Sequence, residues 1–164
     1  MTRLQGLAPV IDARTRLLVL GSFPGVASLR AQQYYGHPQN AFWKILSTLW
    51  ALPLMEFSYA ARLDAARDHG LGIWDVYASC EREGSLDTAI RDAELNDLAS
   101  LRQRCPQLQA IAHNGGESFR HARHTRALGL PVHSLPSTSP ANAGWSFDRK
   151  LQAWQAVLCA HGVA

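Results

Sequence analysis

Ser22, Tyr35, His37, Asn40, Asn114 and the run Ser137, Thr138, Ser139 with Asn142 are the side chains whose types and positions could do chemistry together. Ser22, Asn114 and 137–142 follow apolar runs, Asn40 opens a helical one, and Tyr35 and His37 lie in the long loop between. Glycine or proline stands beside most of them: Gly21, Pro24 and Gly25 around Ser22 and Phe23, Gly115 after Asn114, and Pro136 before Ser137. Neutral hydroxyls, carboxamides and aromatic rings suit a flat heterocycle with donor and acceptor edges better than a charged small metabolite. Other chemistries have thinner support. The backbone around Gly21 and Gly25 could hold a phosphate or carboxylate. The loop is nevertheless neither Gly-x-Gly-x-x-Gly nor a Gly-Lys-Ser/Thr loop, which disfavours ATP, GTP and dinucleotides. Ser22 with His113 or His133 and Asp75 makes a conceivable hydrolase triad, but no Gly-x-Ser-x-Gly elbow accompanies it. Seven histidines without an HExxH pair or a carboxylate-rich cluster speak against a metal, and no cofactor is expected.

The elements that must position these residues read as alternating strands and helices. Continuous apolar runs at 16–21, 71–77, 108–112 and 131–135 predict buried strands. Helical spacing predicts helices at 40–52, 58–69, 95–104, 117–128 and 146–159, with Ser58 as a cap and Pro53, Gly70 and Gly129 as stops. Residues 1–15 read as an irregular lead-in and 79–90 as a polar loop; 22–39 is long enough to be functional or partly helical. The pattern predicts a three-layer α/β/α domain with a mainly parallel four-stranded sheet, ordered in space second, first, third, fourth. The polar exceptions then gather on one rim of that sheet, where such folds keep their sites.

A chain of 164 residues suits a single domain, and 47% hydrophobic with 18% charged residues describes a packed protein rather than a disordered one. Net charge of +3 permits nucleic acid without demanding it. Cys80, Cys105 and Cys159 are singly spaced, as expected of reduced thiols. With no leader-like start or long apolar span, a cytoplasmic protein with no membrane partner is expected.

Five motifs in order, GSFPG, QYYGHPQNAFW, LGIWDVYASCEREGSLD, AHNGGESF and LPSTSPANAGWSFDRKLQAW, resemble the uracil-DNA glycosylase superfamily, and within it the hypoxanthine-DNA (deoxyinosine) glycosylase branch. The likeness spans residues 16–154, nearly the whole chain. It implies a monofunctional enzyme that hydrolyses the N-glycosidic bond of a base turned out of double-stranded DNA, acting as a monomer ahead of abasic-site repair enzymes. Uracil and mismatch-directed excision, or DNA binding without hydrolysis, are the alternatives. Most of the superfamily carries an Asp or Asn for the attacking water in its first motif. Here that position is Phe23, and the resemblance moves the role to Asn40. The late motif has Leu135 where uracil enzymes have His, so classical uracil excision is not expected.

From the same resemblance, Ser22, Phe23, Tyr35 and Asn114 would contact the base. Gly21, Pro24, Gly25, His37, Gly115, Pro136, Ser137, Thr138, Ser139 and Asn142 would face DNA. Each has a plainer alternative: Asn40 as a helix cap, Tyr35 as packing beneath a loop, Asn114 as an Asn-Gly turn, and 137–142 as a solvated turn. Asp75 reads as support, bonded to loop amides or paired with Arg82. Arg120, Arg123 and Arg126, with Arg149 and Lys150, would supply nonspecific attraction to phosphates.

Overall fold

The computed structural model describes residues 2–164. Its strands are β1 (Leu4–Gln5), β2 (Leu17–Gly21), β3 (Leu71–Asp75), β4 (Tyr77–Glu81), β5 (Arg91–Leu95), β6 (Ala110–Asn114) and β7 (Val132–Leu135). Its helices are α1 (Val26–Ala31), α2 (Phe42–Trp50), α3 (Tyr59–Asp68), α4 (Leu101–Arg104), α5 (Gly116–Phe119), α6 (Ala122–Arg126) and α7 (Phe147–Ala160). Strands β3, β2, β6 and β7 lie side by side, all parallel, in the spatial order the apolar runs predicted. Strand β2 is central because all five of its residues are buried, and only a sheet covered on both faces can use such a run.

Alternation along β2 divides the core in two. Leu17 and Val19 face a cluster with Phe42, Trp43, Trp154 and Leu158 from α2 and α7. Leu18 and Leu20 face another with Leu98, Leu101, Trp74 and Tyr77. Ser58 caps α3 as expected, its Oγ accepting the Ala61 N–H at 3.2 Å. Trp43 and Trp154 do more than fill space. Their indole N–H groups donate to the Tyr34 and Pro136 carbonyls, so each ties a loop of the rim to the core.

Four expectations need correction. The lead-in, the start of the polar loop and the segment just after it contribute a second sheet, antiparallel, in the order β1-β4-β5. The run at 71–77 does not continue as one strand: it breaks at Val76 and passes into the antiparallel sheet as β4. The helix expected at 95–104 is a single turn at Leu98–Ser100 followed by α4. The helix expected at 117–128 divides into α5 and α6 near His121, whose ring nitrogen bonds the Tyr77 hydroxyl at 2.8 Å. Among the described residues no helix is long and apolar enough to cross a membrane.

Candidate active site

Loops leaving the carboxyl ends of β2, β6 and β7, with the loop between β4 and β5, enclose a pocket of about 320 Å³. Asn40, Tyr35, Asn114 and Ser137 all line it, so residues scattered over a hundred positions of chain share one cavity. Gly21, Ser22, Phe23, Pro24, Gly25 and His37 line it too, as do Thr138, Ser139 and Asn142. Gly115 and Pro136 stand behind the wall, the first bonding Leu135 O through its N–H and the second accepting from Trp154. Gly115 has φ +96°, and a Cβ there would lie 3.0 Å from that of Ser137, so glycine lets the two loops meet.

Asn40 faces the pocket one residue ahead of the α2 N-cap, which is Ala41 rather than Asn40 as the cap alternative expected. Its Oδ1 accepts the Phe42 N–H at 2.9 Å, which fixes the side chain at the start of α2. One lone pair of that oxygen stays free for a further donor. Tyr35 adopts φ +54°, an uncommon backbone for a bulky residue, and its ring stacks on Phe42 with centroids 4.1 Å apart. Tyr34 is buried, its hydroxyl donating to Leu7 O and Ala8 O.

Asn114 is committed to protein partners. Its Nδ2 donates to Tyr35 Oη at 3.1 Å and to Thr138 Oγ1 at 3.0 Å, while its Oδ1 accepts the Thr138 N–H at 3.0 Å. Thr138, expected among groups that face DNA, is 1% exposed and sits inside the wall. Its carbonyl accepts the Ala41 N–H, so one residue joins the late loop to the start of α2. Beyond it the loop is held by its own side chains, Ser137 and Ser139 accepting the N–H groups of Ser139 and Ala141. Lys150 is buried and points Nζ at the Ser139 carbonyl rather than at solvent.

The loop after β4 supplies residues that motif reading left out of the site. Ser85, Leu86, Asp87 and Thr88 line the pocket. Ser85 Oγ accepts the Val26 N–H, Asp87 accepts the Ser22 hydroxyl at 2.6 Å, and Arg82 donates to Pro24 O and Gly84 O. Asp75 therefore has neither of the two kinds of support expected from sequence: no loop amide bonds its carboxyl and Arg82 does not pair with it. Asp75 also lines the pocket, 5% exposed, with Oδ2 lacking any hydrogen-bond partner. Burial, reinforced by Asp87 and opposed by Arg82, pushes its carboxyl up to about 7.

The conceivable hydrolase triad is dismantled by these contacts. Ser22 is committed to Asp87, and His113 turns away to Ser118 Oγ and Thr125 Oγ1, where burial lowers it to about 4. Arg120 pairs with Glu117, and neither it, Arg123, Arg126 nor Arg149 lines the pocket. Among the described residues no group of three or more His, Cys, Asp or Glu side chains is placed to hold a metal ion. What remains is an enclosure for an uncharged planar ring: an aromatic wall, a fixed carboxamide, and no strong nucleophile.

The family profile described as the uracil DNA glycosylase superfamily matches residues 8–158. The chain belongs to the uracil DNA glycosylase superfamily. Among its relatives is the hypoxanthine DNA glycosylase of Methanosarcina barkeri, 41% identical over 84% of this chain and 87% of the relative. The hypoxanthine DNA glycosylase of Methanosarcina acetivorans is 37% identical over 94% of this chain and 97% of its own. The solution NMR structure of a candidate uracil DNA glycosylase from Methanosarcina acetivorans superposes with a TM-score of 0.86 at 36% identity, covering 95% and 96% of the two chains. The superfamily assignment thus rests on sequence and architecture together, and DNA is the substrate class it brings.

Proposed function

We propose that this protein is a monofunctional DNA glycosylase that hydrolyses the N-glycosidic bond of hypoxanthine turned out of double-stranded DNA. The observation that carries it is the single base-sized pocket joining Asn40, Tyr35, Asn114 and Ser137, beside relatives named for hypoxanthine. A duplex does not fit a cavity of this size, so the base must leave the stack to reach it. Tyr35, stiffened from behind by Phe42, is the platform the ring lies on. Ser22 and Phe23 line the same pocket.

Asn40 holds the attacking water through the Oδ1 lone pair that the Phe42 N–H leaves free. It is too weak a base to deprotonate water, and need not: the sugar becomes cationic as the bond breaks, and water oriented on the correct face completes the reaction. Asn114, committed to Tyr35 and Thr138, serves the base indirectly by fixing both walls, with one carbonyl lone pair left for contact. Leu86, 59% exposed at the pocket mouth, is the apolar side chain placed to fill the gap a departed base leaves in the stack. The late loop from Ser137 to Asn142 meets the backbone beside it.

Single-turnover release of free base from duplexes carrying hypoxanthine, uracil or xanthine tests the reading. Hypoxanthine is expected to be released fastest and adenine not at all. A uracil rate well above the hypoxanthine rate reassigns the substrate, and release from none of them leaves a DNA-binding protein of this fold.

A further inference from the structure

Asp75 ends β3 beside Gly21 of β2, and the missing glycine side chain is what gives its carboxyl room. A Cβ on Gly21 would stand 2.5 Å from Asp75 Oδ1 and 3.1 Å from Tyr35 Oη, so carboxyl and phenol meet over this glycine at the pocket wall. A supporting carboxylate at a strand end accepts backbone N–H bonds. This one does not. The nearby Val76 and Tyr77 N–H groups go to Gly21 O and Ser22 O, and Asn96 Nδ2 goes to the Asp75 main-chain carbonyl. Arg82 gives Nε to Gly84 O and Nη2 to Pro24 O, and makes no hydrogen bond or ion pair to Asp75 although its Nη1 is buried without a partner; Asp75 Oδ2 is likewise left without one while 95% of the residue is out of solvent. A buried, unpartnered polar group in the wall of a ligand pocket is a group waiting for the ligand.

Resting on the reading of the site as a glycosylase, we propose that Asp75 contacts the flipped base as a protonated carboxyl, donating a hydrogen bond to a base acceptor and stabilising the negative charge that gathers there. As the C1′–N bond breaks its electron pair stays with the base, and water oxygen bonds to C1′. The proton the water loses finally neutralises the base, so Asp75 keeps its own proton throughout. An ionised Asp75 would instead oppose the departing anion. Burial raises its pKa to about 7, with Asp87 adding to the effect and Arg82 opposing it; Tyr34 and Tyr35, the other titratable groups against it, stay neutral because burial raises their phenols. The rate of base release therefore falls as pH rises through 7.

The test is single-turnover release of hypoxanthine at pH 6 and 8.5 by the wild type, Asp75→Asn and Asp75→Ala. The ratio of the two rates is taken within each protein, so partial loss of folded material cancels. Wild type is expected to slow roughly 30-fold between the two pH values, the loss of neutral carboxyl for a group titrating near 7. Asp75→Asn, whose amide donates at every pH, is expected to change less than about 3-fold over that range and to stay within about 10-fold of wild type at pH 6. Asp75→Ala is expected to be slow at both. An alkaline fall that persists in Asp75→Asn overturns the assignment, as does a wild-type rate that climbs through pH 7 and vanishes in Asp75→Asn, the behaviour of a base acting on water. Wild type that releases no base from any of the three lesions removes the glycosylase reading, and this assignment with it.

Discussion

Asn40 carries two duties on one oxygen, and they can be separated by substitution. Its Oδ1 holds the Phe42 N–H in a turn just ahead of α2, a hydrogen bond whose loss costs about 1 kcal/mol of stability. In the proposed reaction the same oxygen orients water, and removing one such contact commonly costs about 10² to 10³ in rate. Asn40→Ala is expected to show both losses while binding damaged duplex nearly as well as wild type. Asn40→Ser keeps a hydroxyl within reach of the Phe42 N–H but shortens the arm that holds water. It is expected to recover most of the thermal stability and little of the rate. Thermal melts and single-turnover rates on the two variants would return Asn40 to a purely structural role if rate tracked stability.

At the level of elements, the parallel sheet was legible because its strands are covered on both faces, and continuous runs such as Leu17 to Leu20 announce that burial. Strand β5 could not be read the same way: all of Arg91–Leu95 is exposed, so neither an apolar run nor alternation marks it. The placing of Asn114 after an apolar run and of Asn40 at a helix start was likewise visible, since this architecture brings strand ends and helix starts to one rim. Their bonding was not, because the partners of Asn114 are Tyr35 and Thr138, far off in the chain. Those bonds make Asn114 a clamp between the β6 end, the late loop and the aromatic wall. Asn114→Ala deletes three of them at roughly 1 kcal/mol each. Melting should drop by several degrees, and base release should slow even for a small base such as uracil, because both walls loosen. A variant with normal stability but a selective loss on hypoxanthine would instead make Asn114 a direct reader of the base. For the exposed Leu86, truncation to Ala should slow release from duplex substrates about 10-fold and leave single-stranded substrates nearly unaffected, since only a duplex has a gap to fill. Equal slowing on both would place Leu86 outside the insertion step.

For the whole molecule, the unpartnered Asp75 has a consequence that needs no substrate. Its folded-state pKa is near 7 while the unfolded chain titrates near 3.8, so between those values the folded protein holds a proton that the unfolded chain has released. Stability contributed by the neutral carboxyl is present below about pH 4 and is lost as pH rises to about 7, above which both states are ionised and the deficit is constant. The size follows from the shift, on the order of 4 kcal/mol at its fullest. That is a large share of the 5–15 kcal/mol that holds a typical domain folded. A core chosen for stability alone would not keep this group, and an amide in its place ionises nowhere in the range. Asp75→Asn is therefore expected to melt higher than wild type at pH 8, with an advantage that grows from pH 4 to pH 7 and then levels. Paired melts across that range check it, and a difference independent of pH would mean that Asp75 titrates as an ordinary carboxylate. Read with the base-release rates, the melts separate two effects of one residue: the same substitution that stabilises the fold at neutral pH removes the proton dependence of its chemistry.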